Sequence, residues 1–462
     1  MSHGGTEEFY KERVPLFGFL IGWMSGNDMD YGPVAFAVAA SLLVLALFIF
    51  GVSGGQILSV FFAIIPIWLP IILFLLFFEK WNEMVGLKFY LNNGRTTLRI
   101  KLPQEVTKSP EAMEFVIAQI HNTANPDNLM QTYLDGKRPL PFSFEIVSIG
   151  GELRFYVNVP TKKTKDAFEA NMYAQYPGIE IVEEPVDYAA EIPGSFDPSK
   201  TTVFAVHMGK KKDGFLPIKS YVEYKLDTMP KEEEKVDPIT PMLEVFASLK
   251  QHERLYMQII ATSYRKSSFK MGQLMLGEGP DWNKPLFEYI NKLLNRDPDK
   301  RTSLGDGQFE EQTRLTPGER DTITAMERNA DKYAYNVGIR WLYINKEGGF
   351  NGDLINPVIR SFSQYDINTR NQIGVRWRTD LNYKDLIPGS KKRIDSMRKA
   401  ELKLYKLRKY FNNSGADEPK IFTSEELATM FHVPGKVAMT PTLNRIESTR
   451  SEAPSNLPTM PQ

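Results

Sequence analysis

Residues 141–160 read PFSFEIVSIGGELRFYVNVP. Two runs rich in β-branched and aromatic residues, Phe142–Ile149 and Leu153–Val159, flank Gly150-Gly151. Paired glycines between such runs signal a β-hairpin, because glycine reaches the positive φ that a tight turn demands. Upstream, Arg95–Pro103 (RTTLRIKLP) is β-rich. Ser109 then stands as an N-cap with Pro110 at the first helical position, and Met113, Val116, Ile117 and Ile120 recur at helical spacing. A long loop, 124–140, leads into the hairpin. Downstream, 163–176 reads as a helix with Phe168, Met172 and Tyr173 near one face, and 179–184 as a closing strand. The order is βαββαβ, the ferredoxin-like pattern.

The same order recurs. Lys219–Asp227 reads as a strand, Asp237 as the cap of a helix through Lys250, and Leu255–Ser263 as a strand. An insertion over 264–333 holds helices at Asp281–Leu294 and from Thr316-Pro317. The pattern resumes with strand Ala334–Asn345, helix Gly352–Tyr365 and strand Gln372–Arg378. The expected class is α+β: one ferredoxin-like unit over 85–190 and a second over 200–380, interrupted by the insertion.

Ahead of both units, Tyr31–Phe78 contains no charged side chain. Val34–Val52 and Ile57–Phe78 each approach the ~20 residues that span a bilayer. Joined by Ser53–Gln56, residues 34–78 read as a transmembrane helical hairpin, with Pro66 and Pro70 kinking its second arm. The bland alternative is a pair of buried core helices. Lys11 and Arg13 before the hairpin, and Lys80, Lys88, Arg95, Arg99 and Lys101 after it, place both flanks in the cytoplasm and the anchor in the cytoplasmic (inner) membrane. Within the tail 1–33, Val14–Met24 is apolar but too short to span; it lies in the interface, anchored by Trp23, or packs on the hairpin.

Beyond the second unit, 391–410 (KKRIDSMRKAELKLYKLRKY) reads as a basic helix, either a solvated face or a contact for anionic lipid or nucleic acid. Residues 411–462 read as a flexible docking tail. In it Thr423 opens a short capped helix and Leu427, Phe431, His432, Val433 and Pro434 offer side chains for a partner to bury.

Composition sets limits. With 56 basic and 56 acidic side chains, the chain does not coat nucleic acid by bulk charge. Zero cysteine excludes disulfides, thiolate-ligated metals and thiol catalysis, and five scattered histidines offer little to a His-rich metal site. The mean hydropathy of -0.31 averages an apolar anchor with a polar body. A P-loop needs GxxxxGK[ST], and none of Gly136-Lys137, Gly209-Lys210 or Gly435-Lys436 satisfies it. One GxSxG, Gly51–Gly55, sits in the hairpin turn, where no nucleophile elbow forms. The carboxylate runs Glu183-Glu184 and Glu232-Glu233-Glu234 read as solvated charge, and the strand aromatics as packing rather than a base-stacking face. No catalytic, cofactor-binding or metal-ligating residue emerges, and the chain reads as a non-enzyme without a cofactor.

Several stretches carry a resemblance together: SPEAMEFVIAQIH (109–121), the hairpin 141–160, FEANMYAQYPGIEI (168–181), LTPGERDTITAMERNADKYAYNVGIRWLYI (315–344), TSEELATMFHVPG (423–435) and NLP (456–458). Over roughly Leu87–Pro458 the chain resembles the N-terminal, pre-motor region of membrane-associated type IV secretion and conjugation-type ATPases of candidate-phyla bacteria. The resemblance implies a platform whose last stretches lead toward a nucleotide-binding domain. No Walker motif follows here, so no catalytic residue of that family carries over. The expected function is a membrane-anchored, non-catalytic platform that docks a motor ATPase in trans, or copies of itself; the alternative is a membrane-tethered sensor of a small ligand. Membrane lipid is the other expected partner, and direct nucleic-acid contact stays open.

Overall fold

The computed structural model describes residues 54–103, 106, 108–124, 126, 128–192, 201–229, 235–265, 281–294, 315–346, 349–379, 390–410, 419–435 and 445–446, with some side chains in 54–80 and 390–393 undescribed. The expected segments Val14–Met24 and Val34–Val52, and tail residues 447–462, lie outside the described residues. The chain divides into two compact units, Met1–Glu83 and Met84–Gln462.

Helix α1, Gly54–Asn93, runs through both Pro66 and Pro70. Gly54, Gly55 and Gln56, expected to lie in the hairpin turn, are helical. Within the first unit Phe74 stacks on Phe78 and Phe77 meets Trp81 at a tilt, each pair one helical turn apart. Phe62, Leu73, Phe74 and Phe77 are exposed. Among the described residues no helix is long and apolar enough to cross a membrane.

The second unit is mixed α and β. In chain order it contains β1 Arg95–Pro103, α2 Pro110–Gln119, α3 Leu129–Tyr133, β2 Phe142–Ile149, β3 Glu152–Pro160, α4 Lys165–Gln175 and β4 Glu180–Glu183. Then follow β5 Thr201–Lys210, α5 Thr240–Ala247, β6 Arg254–Ser263, α6 Asn283–Leu293, α7 Pro317–Ala330, β7 Ala334–Lys346, α8 Ile355–Ser361 and β8 Ile373–Arg378. The tail supplies α9 Ser390–Lys406, β9 Lys420–Thr423, α10 Ser424–Met430 and β10 Arg445–Ile446.

Among the described residues the ten strands form one sheet, antiparallel except where β10 pairs β1. The first half runs β4-β1-β3-β2 and the second β6-β7-β5-β8. Each half therefore orders its own four strands fourth-first-third-second. The halves meet along β2 and β6, paired in full from Phe142↔Ala261 to Ile149↔Arg254. The two expected units thus share a continuous sheet.

Strand alternation sends one set of side chains to each face. Phe142, Phe144 and Ile146 of β2 join the larger core with Met257, Ile259 and Trp341, under α2, α5 and α8. Val147, Tyr156, Tyr256 and Leu342 join the opposite cluster, which Leu402 and Tyr405 of α9 complete. The helices of the insertion pack through Leu286, Ile290, Ile323 and Met326 as a small separate core. Thr316 opens α7 with a capping box to Glu319.

Two expectations need correction. The first strand of the second half is Thr201–Lys210, not Lys219–Asp227, which forms turns with Lys225 at φ 56°. Tyr221 and Leu226 are buried there, so the apolar alternation was real, but it serves packing without a strand partner. Nor is 411–462 simply a loose tail. β9 pairs with Ala334–Val337 of β7, and Lys420–Pro434 packs into the body. The physical reason is burial: a segment this apolar, with partners in both halves, is more stable folded against them than in water.

Candidate functional site: a buried polar row and a basic cavity

The five residues expected to dock a partner are interior. Leu427 is fully buried, and Phe431, His432, Val433 and Pro434 are buried too. The Phe431 ring stacks on Phe144, 4.6 Å away, in the first half's core. His432 Nδ1 donates to the Ala428 carbonyl at 2.9 Å, and Nε2 lies 3.1 Å from Asp237 Oδ1. Burial opposes the imidazolium, but the Asp237 charge and hydrogen bond, with backbone hydrogen bonds at Ala428 and Thr429, together raise the His432 pKa. Burial likewise opposes ionisation of Asp237, and the His432 charge and hydrogen bond prevail, lowering its pKa.

Glu426 anchors the same segment. Its carboxylate caps Thr423 N at 2.9 Å, accepts from Ile218 N at 2.9 Å and pairs with Lys210 Nζ at 2.8 Å. Burial lowers the Lys210 pKa, with Glu426 opposing. Breaking a pair this deeply buried costs about 3–5 kcal/mol, since one charge is left without its partner. Glu425 meets Arg328 of α7 and Ser424 Oγ donates to Glu114 of α2 at 3.1 Å. One short segment thereby clips the insertion, the first half and the second half together.

On the opposite face a row of cross-strand neighbours runs Arg99, Tyr156, Glu145, Gln258, Arg340, His207, Trp377. Glu145 accepts from Ser143 Oγ at 2.6 Å, Tyr188 OH at 2.6 Å, Gln258 Nε2 at 2.7 Å and Arg408 Nε at 2.8 Å. Arg340 donates to Gln258 Oε1 and to the carbonyls of Leu404 and Lys409, at the end of α9. A cation there suits the negative pole of the helix. His207 Nε2 lies 2.9 Å from Glu401 Oε2, both fully buried.

Arg408 sits just past α9 at φ 50°, the left-handed position usually given to glycine. Lys409 N donates to Leu404 O at 3.0 Å, closing the helix end. The Arg408 guanidinium spans Glu145 and Asp187. Burial disfavours its charge, yet those carboxylates win and hold its pKa above the ordinary arginine value. Gly338 lets the Tyr410 ring lie on β7, for an added Cβ would meet that ring at 2.2 Å. From Tyr156 to His207 this row is sealed from solvent, so it holds α9 down rather than meeting a substrate. Sequence reasoning missed it. The signal was a charged, amide or imidazole side chain in the middle of each apolar strand: Glu145, Gln258, Arg340 and His207.

The open concave feature lies elsewhere. A cavity of about 530 Å³ is lined by Lys137 and Arg138 from the 124–140 loop and Lys162 and Lys163 from the turn before α4. Asp135 is the one carboxylate among its described lining residues. Phe89, Ile120, Leu140 and Phe142 supply apolar wall. The loop is fixed by close contacts with α1: a Cβ on Gly136, at φ 69°, would meet the Val85 carbonyl at 2.6 Å. A Cβ on Gly86 would meet the Arg138 guanidinium at 2.1 Å. Burial lowers the Arg138 pKa; burial and then the Arg138 charge lower that of Arg265, which donates to the Lys137 carbonyl. Among the described residues no group of His, Asp and Glu is arranged to hold a metal.

Residues 86–445 match a family model described as a domain of unknown function, DUF8128. No curated protein and no solved structure matches the chain.

Proposed function

The chain belongs to the DUF8128 family, and from that premise we propose a membrane-anchored, non-catalytic platform. The matched region takes in both halves of the sheet, α9 and the 420–434 segment together, which favours treating them as one working body. In this reading the halves are two ferredoxin-like units fused through β2 and β6. The observation that carries it is the locking of that sheet on both faces, by Glu426 and Phe431 on one and by the Glu145–Arg408 row on the other. Ion pairs so deeply buried suit a body that keeps one shape while partners act on it.

The anchor is the apolar run Ile57–Phe78 inside α1, with Val34–Val52 as its other arm, and the flanking cations favour a body in the cytoplasm. The partner favoured by the resemblance is a motor ATPase supplied as a separate chain. It meets an exposed surface, since Leu427 and its neighbours are interior. The test is extraction and co-purification of the full chain. Retention in membranes through alkaline carbonate, and recovery of a P-loop ATPase encoded beside it, are expected. Release by carbonate, or recovery without any ATPase, overturns the reading. A membrane-tethered ligand-binding protein is the second reading, favoured by the basic cavity.

A further inference from the structure

We infer that the cavity between the 124–140 loop and the turn before α4 is a binding site for a phosphate ester, held by Lys137, Arg138, Lys162 and Lys163 with its carbon portion against Phe89 and Phe142. The inference stands apart from the platform reading, since the cavity lies wholly within the second unit and involves neither the anchor nor a partner protein.

Three observations carry it. The volume, about 530 Å³, falls within the range of small-molecule sites. The charge is one-sided: four cations face one carboxylate among the described lining residues, in a chain whose overall charge is zero. Such an imbalance in a concavity concentrates field and attracts anions. The cations are also placed by backbone and not merely scattered over a surface. Lys163 stands at φ 76°, a left-handed conformation that few lysines adopt. Thr161 N and Lys162 N donate to the carbonyls of Gly94 and Asn93, tying this turn to the end of α1. Arg138 lies against Gly86 of the same helix, where the missing Cβ makes room for its planar fork, a shape suited to two phosphate oxygens. Lys137 Nζ donates to Gln131 Oε1 at 3.1 Å and so is held near the rim.

Phosphate chemistry fits better than carboxylate chemistry because a phosphate offers three terminal oxygens to several donors at once. The apolar wall favours an ester over the bare ion, because Phe89, Ile120, Leu140 and Phe142 would leave water against apolar surface if only phosphate bound. A nucleotide and a phospholipid headgroup share this chemistry, and the experiment separates them.

The full chain in detergent is titrated calorimetrically with inorganic phosphate, adenosine 5′-monophosphate and short-chain phosphatidic acid. One ester is expected to bind at least tenfold tighter than inorganic phosphate, and which ester it is names the source. Lys162→Ala combined with Lys163→Asn, both exposed and with Asn suited to the left-handed position, is expected to weaken that binding at least tenfold. Asp135→Asn is expected to strengthen it. Gly86→Ala, which displaces the Arg138 guanidinium and keeps its charge, is expected to weaken it. Unchanged thermal unfolding shows that the lysine variant remains folded. Inorganic phosphate binding as tightly as both esters, affinity unaltered by the double lysine substitution, or no heat with any probe at millimolar concentration overturns the inference.

Discussion

His432 shows how one side chain can tie stability to pH. Its folded pKa is raised by Asp237, so its contribution is complete below the unfolded value of about 6.5 and disappears as pH climbs through the folded value. Asp237 works the other way. Its folded pKa is lowered, so its contribution holds above about 3.9 and is lost only as pH falls through the folded value. The pair is therefore strongest in mildly acidic solution. Unfolding of the full chain in detergent is expected to become easier as pH rises from about 6 to 9, and His432→Gln is expected to flatten that dependence. A substitution that leaves the slope untouched would assign it to other groups. The sequence offered His432 as a side chain for a partner to bury; it gave no sign that Asp237, 195 residues earlier, meets it inside the same chain.

At the scale of elements, α9 is the clearest case of partial legibility. Its basic composition is read directly, whereas the 53 % exposure of Leu407 is not. Yet Glu401, Leu402, Tyr405 and Arg408 are buried, because the sheet beneath offers apolar clefts at Tyr256 and Leu342 and a carboxylate at Glu145. Leu402→Ala is expected to destabilise by about 2–5 kcal/mol through the cavity it leaves, and Leu407→Ala by no more than about 0.5 kcal/mol. Denaturant unfolding of the two variants checks the difference; equal losses would mean that the helix does not seat by this face. The hairpin β2–β3 was legible for an opposite reason: its turn and alternation are local. The strand at 201–210 was not, because TTVFAVHMGK and the run at 219–227 carry comparable patterns. Only the antiparallel registers with β7 and β8 select the former, and registers are long-range information.

For the whole molecule, the repeat of βαββαβ could be read from local order, whereas the β2–β6 seam could not. Edge strands of two separate units would look the same in sequence. The basic cavity was equally hidden, since Arg138 and Lys163 come from different loops and only the fold converges them. Deleting Lys420–Gln462 is expected to abolish the body's cooperative unfolding as well as any partner binding, because Phe431, Glu426 and the β9 strand leave both halves at once. Circular dichroism and limited proteolysis of the truncated chain check this; a truncated chain as protease-resistant as the full one would refute it. The Ser424–Glu114 bond joins residues 310 positions apart. During translation, α2 therefore leaves the ribosome long before the segment that covers it. At synthesis rates of about 5–20 residues per second, that interval is on the order of 15–60 s. Throughout it Phe144 and the seam lack their cover, which makes the nascent chain a natural client for chaperones.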